Sequence, residues 1–288
     1  MRPDGGLPPR PAGRSRMRPW IALGLCLSFL APFPAPAAGK SDTAKEQRWA
    51  KEIAPLIFQG RAEWLKTKGG ERFFSIYTPA RGPTVYGGVI LLHGMGANPD
   101  WTDVIRPLRT GLADRGWATL SLQMPVLPNS AVPKDYIPLF PDVAPRIEAG
   151  IAFLRAKKIA PIMLVGHSLG AAMGAWFLAH TPRSGIRAFV GIGMSGGPAP
   201  KSPLDTAASL GKIHLPVLDL YGSRDFRAVL SGAPRRAAAA RAAGEHGYEQ
   251  VEVDGAGHFF RDLDGPLITR VSGWLHKYAR HPATAPNG

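Results

Sequence analysis

GHSLG, residues 166–170, lies between two apolar runs, PIMLV at 161–165 and AAMGAWFL at 171–178. This pattern predicts a strand, a sharp turn and a helix, with Ser168 at the apex of the turn. Glycine flanks the serine because strand and helix pass too close there for a Cβ atom. The turn lifts a hydroxyl above a parallel sheet at a helix N-terminus, which indicates a nucleophilic serine.

A second match to the same pattern, GMSGG at residues 193–197, makes Ser195 a rival nucleophile. It also follows a strand-like run, but it leads into PAPKSP at 198–203, whose prolines are incompatible with a helix. Without a helix after the serine, this copy lacks the turn that presents a nucleophile. We therefore expect Ser168, and not Ser195, to be the nucleophile.

Short apolar strands alternate with helices along most of the chain. A helix capped by Ser41 and Asp42 and a strand pair turned at Gly69 and Gly70 come first. The strands that follow are predicted at 88–92, 118–122, 162–165, 188–192, 217–221 and 248–253, and their helices near 103–115, 142–157, 171–178, 204–210, 227–243 and 263–278. This alternation predicts an α/β fold with a mostly parallel central sheet covered by helices on both faces.

One folded domain is predicted at residues 38–280, between an export segment at 1–37 and a flexible tail at 281–288. Only about two dozen residues separate the strands predicted at 188–192 and 217–221, so there is no room for a large cap domain between them. The carboxyl ends of parallel strands meet at one edge of the sheet, where the site is expected.

The N-terminal segment has the features of a signal peptide. Arginines at 14, 16 and 18 precede an apolar run at 20–33, and Ala35-Pro36-Ala37 forms a cleavage signal. We expect export to the periplasm or outside the cell, with translation starting either at Met1 or at Met17. A retained N-terminal anchor is the alternative.

Cysteine and histidine positions argue against thiol and metal chemistry. The only cysteine, Cys26, lies within the export segment, so a mature chain would have no disulfide and no thiolate. The histidines show no metal-ligand spacing. We expect neither a metal nor a cofactor.

Two residues can complete a catalytic triad with Ser168. A serine hydroxyl needs a base to take its proton, and that base needs a group that orients it. In folds with this serine turn, the acid and then the histidine follow in the chain. Asp225 follows the strand predicted at 217–221, and His258 follows the strand at 248–253, so both are expected at the same edge of the sheet as Ser168.

Each partner has a plainer interpretation. Asp225 could cap the helix that begins near Arg227, and His258 could be a surface-loop histidine. Asp219 is the weaker alternative acid because it alternates into its strand. Asp254 and Asp262 lie too near His258 in the chain to be favoured.

HGMG at residues 93–96 follows the strand predicted at 88–92 and supplies the anion-binding part of the site. Acyl transfer places negative charge on the carbonyl oxygen, and preorganised N–H groups stabilise that charge. We assign these donors to the amides of Met95 and Leu169. His93 is expected to brace the loop rather than to act as the base.

From about residue 73 to 278 the chain resembles the α/β-hydrolase superfamily. HGMGANPDW at 93–101, GWATLSLQMP at 116–125 and GHSLGAA at 166–172 also resemble an uncharacterised family of exported bacterial α/β hydrolases, described only as a domain of unknown function. The resemblance implies an α/β-hydrolase fold, a catalytic triad and an oxyanion hole. The triad would be Ser168, Asp225 and His258, and the oxyanion donors Met95 and Leu169.

A formal charge of +14 bears on the partners of the chain. The basic residues are scattered and are not interleaved with aromatic residues, so we expect no nucleic-acid partner and favour a generally solvated surface. Weak attraction to anionic envelope surfaces is the alternative.

The expected activity is hydrolysis of a small or lipid-like carboxylic ester through a covalent acyl-enzyme. An amidase or peptidase would use the same triad, and a non-catalytic envelope-binding protein is the third possibility. The loop at 124–141 contains five prolines and is expected to form one wall of the pocket. Tyr136, Ile137, Leu139 and Phe140 either line that wall or pack onto the sheet.

Overall fold

An eight-stranded, mostly parallel sheet forms the centre of the protein. Its strands, in chain order, are β1 (Arg61–Lys66), β2 (Arg72–Thr78), β3 (Gly87–Leu92), β4 (Trp117–Leu122), β5 (Ile162–His167), β6 (Ile186–Ile192), β7 (Val217–Arg224) and β8 (Tyr248–Gly257). They lie side by side in the order β1-β2-β4-β3-β5-β6-β7-β8. β2 pairs antiparallel with β1 and with β4, and every other pair is parallel.

The computed structural model of the chain describes residues 40–196, 202–244 and 247–279. The predicted export segment at 1–37, including Cys26, and the predicted tail at 281–288 lie outside the described residues. Most of the proline-rich stretch that follows Ser195 also lies outside them. No helix in the described part is long and apolar enough to cross a membrane.

Seven α-helices of the described residues pack around the sheet: α1 (Thr43–Ile53), α2 (Ile105–Ala113), α3 (Val143–Ala156), α4 (Leu169–His180), α5 (Thr206–Leu210), α6 (Arg227–Ala242) and α7 (Asp264–His276). Short 3-10 helices span Ala54–Leu56 and Pro133–Asp142. The side chain of Asp42 caps α1 by accepting the N–H of Lys45 at 2.9 Å, as the sequence predicts. The sheet and its helices confirm the predicted fold class.

Successive side chains of β3 divide between two hydrophobic clusters, one on each face of the sheet. Ile90 and Leu92 pack with side chains of α3 and α4. Val89 and Leu91 pack with side chains of α2 and α7. Because successive strand side chains point to opposite faces, a strand buried on both sides must be apolar throughout. This requirement explains why the sequence of β3 contains an uninterrupted run of apolar residues.

Three strands continue further than their apolar runs predict. β5, β7 and β8 end at His167, Arg224 and Gly257, each directly before one of the three predicted triad residues. Backbone hydrogen bonds between neighbouring strands extend the strands to these residues, and β7 and β8 remain paired through Arg224 and Gly257. The sheet therefore brings Ser168, Asp225 and His258 to its carboxyl edge.

The start of the described chain is attached to the segment that follows β4. The hydroxyl of Ser41 accepts the N–H of Val126 at 2.8 Å. The ammonium of Lys45 donates to the carbonyl of Leu127 at 2.8 Å and to the side-chain oxygen of Asn129 at 2.7 Å. This N-terminal clamp holds the chain just before it reaches the 3-10 helix at Pro133–Asp142.

Candidate active site

Ser168 occupies the sharp turn between β5 and α4 with a strained backbone. Its φ is 55° and its ψ is −119°, a region that non-glycine residues rarely adopt. The turn is tight because α4 starts against β3: a Cβ on Gly170 would lie 2.3 Å from the carbonyl oxygen of Leu92 and 2.5 Å from that of His93. The strained backbone of Ser168 and the close packing around it agree with the sharp strand–turn–helix that the sequence predicts.

Asp225 and His258 form a direct pair at the ends of β7 and β8. Nδ1 of His258 donates to Oδ1 of Asp225 at 2.6 Å, and both side chains are buried. The same carboxylate oxygen accepts the N–H of Phe226 at 2.7 Å. With Nδ1 as the donor, the neutral imidazole carries its lone pair on Nε2, as a general base requires.

A cavity of about 500 Å³ opens beside this pair. Ser168 and His258 both line it, so the hydroxyl and the imidazole share one solvent-accessible space. The other lining residues are mostly apolar: Met95, Val132, Pro133, Lys134, Leu169, Ala172, Gly193, Ser195, Leu204, Phe226, Ala228 and Val229. This composition suits an apolar ligand with a small number of polar groups.

The loop after β3, which carries the predicted oxyanion donor Met95, lies against the turn at Ser168: a Cβ on Gly94 would be 3.2 Å from Cβ of Ser168. Leu169 provides the first N–H of α4, which has no acceptor within its own helix. Met95 also lines the cavity and is 42% exposed. Met95, Leu169 and Ser168 therefore line the same cavity.

The chain matches a family described as a protein of unknown function, DUF3530, over residues 21–140 and 139–277. It belongs to that family. Among curated proteins, none matches this DUF3530 member.

Solved structures similar to this DUF3530 member include α/β hydrolases. The esterase domain of a Rhodothermus marinus protein is 18% identical with a TM-score of 0.56, and the match covers 76% of this chain and 99% of that one. An α/β serine hydrolase without a lid from Xanthomonas campestris is 15% identical with a TM-score of 0.57, covering 79% and 98%. A Pyrococcus furiosus esterase is 15% identical with a TM-score of 0.59, covering 79% and 94%. The α/β-hydrolase fold implied by the sequence resemblance is thus confirmed.

Ser195, the rival serine, lines the same cavity but has a different setting. Its backbone does not adopt a positive φ, and the next described helix, α5, begins only at Thr206. The carbonyl oxygen of Ser195 accepts a hydrogen bond from the hydroxyl of Thr206. Within the residues that the structure describes, Ser195 therefore has neither the strained turn nor an adjoining helix N-terminus like those of Ser168.

His93 braces the loop that carries Met95. Its Nδ1 donates to the carbonyl of Gly94 at 2.9 Å, and its Nε2 accepts the N–H of Met124 at 2.9 Å. Complete burial lowers the pKa of His93 to about 4, so the ring stays neutral near pH 7. With both ring nitrogens occupied in this way, His93 is positioned as a support and not as a base.

Asp219, the alternative acid, is engaged in a separate buried cluster. Its Oδ2 accepts hydrogen bonds from Arg236 at 2.7 Å, from Tyr248 at 2.9 Å and from Gln250 at 2.8 Å. These contacts join β7, β8 and α6. Asp254 contacts the hydroxyl of Ser223 instead of a histidine.

The loop at 124–141 reaches the cavity through residues other than those considered from the sequence. Tyr136, Leu139 and Phe140 are buried in the core cluster on the α3–α4 face of the sheet. Val132, Pro133 and Lys134 line the cavity instead. Tyr136 and Phe140 thus support this part of the loop from the core. Tyr136 also hydrogen-bonds to the backbone of Leu127 and of Gly96.

Three residues that support His258 were missed by the sequence prediction. Phe226 stacks on its ring, with centroids 4.2 Å apart. Gly193 lies behind it at a φ of +62°, where a Cβ would be 2.9 Å from Cε1 of His258. His167 donates from Nε2 to the carbonyl of His258 at 2.9 Å, and burial lowers the pKa of His167 to about 4. The sequence signals were indirect, since His167 is the second residue of GHSLG and Gly193 begins the second serine motif.

Among the described residues, no three His, Cys, Asp or Glu side chains come together as a metal site.

Proposed function

We propose that this chain is a serine hydrolase that cleaves carboxylic esters through a covalent acyl-enzyme. The carrying observation is the 2.6 Å contact between Nδ1 of His258 and Asp225, at a cavity that Ser168 and His258 both line. The strained turn at Ser168 also supports this proposal, because a turn of this kind exposes the serine hydroxyl above the sheet. Hydrolases among the similar structures, including two described as esterases, support the same chemistry.

In the acylation step, Oγ of Ser168 attacks the carbonyl carbon of the ester while Nε2 of His258 takes the hydroxyl proton. Asp225 keeps the proton of Nδ1 in place and stabilises the imidazolium that forms. The carbon–oxygen bond to the alcohol then breaks, and His258 gives its proton to the departing oxygen. Water, deprotonated by His258, repeats the sequence on the acyl-enzyme and releases the acid.

Charge on the carbonyl oxygen is the main electrostatic demand of both steps. The amides of Met95 and Leu169 are the donors we assign to that oxygen. Removal of a single donor of this kind costs roughly 3 to 4 kcal/mol of transition-state stabilisation. The contacts that His93 makes with Gly94 and Met124 keep the loop at Met95 rigid.

Fluorophosphonate labelling with peptide mapping tests this proposal. We expect a label on Ser168 in the wild-type protein and in Ser195→Ala, and none in Ser168→Ala. Ser195→Ala is the matched control because it removes a hydroxyl from the same cavity. A label on Ser195, or no label at all, contradicts the proposal. Comparison of p-nitrophenyl esters with the corresponding anilides decides between esterase and amidase.

We also propose that the chain is exported, on the sequence of residues 14–37 alone. Expression in a bacterium followed by mass spectrometry of the mature N-terminus tests this. Cleavage after Ala37 supports export, and an intact N-terminus in the cytoplasmic fraction contradicts it.

A further inference from the structure

Exposed apolar side chains are concentrated at the mouth of the catalytic cavity. Met95, Val132 and Phe226 are 42%, 44% and 56% exposed, and all three line the cavity. They come from three separate loops, after β3, after β4 and after β7. The described residues contain only four other large apolar side chains that are exposed, so this rim is a local concentration.

Cations accompany the apolar rim. Lys134 lines the cavity next to Val132, and Arg227 follows Phe226 at the start of α6. Both are exposed, and neither forms an ion pair within the described residues. The neighbouring carboxylates are engaged elsewhere: Asp135 accepts the N–H of Val132 at 2.9 Å, and Asp225 holds His258.

We propose that this rim docks onto an anionic lipid surface and that the ester substrate is an amphiphile presented by that surface. Apolar rim side chains would enter the boundary between headgroups and acyl chains, while Lys134 and Arg227 would meet the anionic headgroups. The full chain has a net charge of +14, and removal of residues 1–37, with five arginines and one aspartate, would leave +10; either charge adds long-range attraction to the same surface. An uncapped cavity then opens directly against the lipid.

The substrate class rests on the proposed function, but docking does not. Vesicle binding is therefore measured on Ser168→Ala, which cannot turn over an ester. The probes are sedimenting vesicles of phosphatidylcholine alone and of phosphatidylcholine mixed with phosphatidylglycerol. We expect binding to the mixed vesicles that weakens as salt is added, and weaker binding to pure phosphatidylcholine.

Two pairs of variants locate the docking surface. In the Ser168→Ala background, Phe226→Ser lowers the partition coefficient about tenfold through lost apolar burial, and Lys134→Gln lowers it about fivefold through lost attraction. Phe58→Ser and Lys212→Gln are the matched controls. Both residues are exposed and lie a few residues before the start of a strand, Phe58 before β1 and Lys212 before β7, whereas the rim residues follow the ends of strands. These controls are expected to bind vesicles as the parent does.

The outcomes separate the two proposals. Vesicle binding that depends on Phe226 and Lys134 supports docking even if Ser168 takes no fluorophosphonate label. Hydrolysis of soluble esters without vesicle binding leaves the proposed function standing and overturns docking. Binding that survives both rim substitutions, or that Phe58→Ser weakens equally, also overturns it, as does a concentration-dependent dimer that buries Phe226.

Discussion

Phe226 covers one face of the His258 imidazole, with ring centroids 4.2 Å apart and planes inclined by 26°. The His258 ring also contacts the carboxylate of Asp225, the ring of His167 at a centroid distance of 4.9 Å and the ring of Phe259 at 5.2 Å. Although Phe226 is 56% exposed, its position is fixed because its own N–H donates to Asp225. A solvent-facing aromatic side chain thus contributes to the order of the candidate site.

Replacement of Phe226 by alanine should lower kcat/KM for a soluble short-chain ester by roughly 2- to 10-fold, the effect of losing an aromatic pair. Its exposure means that the melting temperature should change little. Phe58→Ala, which removes a more exposed phenylalanine away from the cavity, is the control. Equal kinetic losses in the two variants would show that the stacking has no role in catalysis.

Asp225→Asn should abolish most activity while the protein remains folded. The amide cannot hold the Nδ1 proton of His258 in the required tautomer, and the loss in kcat should reach about 10⁴-fold. Steady-state kinetics and thermal unfolding measure the two effects separately.

Asp219→Asn provides the opposite case and serves as the control for Asp225→Asn. Asp219 and Arg236 are both completely buried and 2.7 Å apart, so the substitution leaves a buried guanidinium uncompensated. The free energy of unfolding should fall by roughly 3 to 5 kcal/mol, with kcat largely retained in the protein that folds. A kcat loss as large as that of Asp225→Asn would instead assign the catalytic acid to Asp219.

Gly193→Ala should displace His258 because the new Cβ would lie 2.9 Å from Cε1 of the ring. A misplacement of about 1 Å near the chemistry costs on the order of 100-fold in rate. Gly82→Ala shares the positive φ, here +98°, but its Cβ would meet no atom within 4 Å. Both variants carry about 1 to 2 kcal/mol of backbone strain. Only a kinetic loss specific to Gly193→Ala agrees with the structure.

Stability should fall as the pH is lowered from 6.5 to about 4, because burial lowers the pKa values of His93 and His167 from 6.5 to about 4. In that interval the unfolded chain binds protons that the folded chain does not, so each histidine contributes stability above pH 6.5 that is lost on acidification. The loss is about 3 kcal/mol for each histidine.

Urea unfolding of wild type and of His167→Gln at pH 7 and pH 4.5 measures this effect. Glutamine retains an N–H that can donate to the carbonyl of His258 but binds no proton. The difference in unfolding free energy between the two pH values should therefore be smaller in the variant by about 2 to 3 kcal/mol. An unchanged difference would mean that His167 does not contribute.

The strand–helix alternation was predictable from the sequence because a parallel strand buried on both faces must be an unbroken apolar run. The ends of strands were not. GH at 166–167 and GSR at 222–224 continue β5 and β7 through backbone pairing, which does not depend on apolar side chains. Strand ends at a site therefore carry little hydrophobic signal.

The chain order of Ser168, Asp225 and His258 was also visible, since each follows a readable strand. Phe226 and Gly193 were not, because their roles arise from contacts with His258 over more than 30 residues of sequence. The sequence also left open whether Tyr136, Ile137, Leu139 and Phe140 line the cavity. They pack onto the sheet, because only that position satisfies their large apolar surface.

The N-terminal clamp links the choice of a first residue to the shape of the cavity. A recombinant protein that starts after Lys45 would lose the contacts of Ser41 with Val126 and of Lys45 with Leu127 and Asn129. Residues 126–129, which lead to Val132 and Lys134 at the cavity, would then lose these hydrogen bonds. A recombinant protein should therefore begin before Ser41, and an N-terminal affinity tag should be attached upstream of that residue.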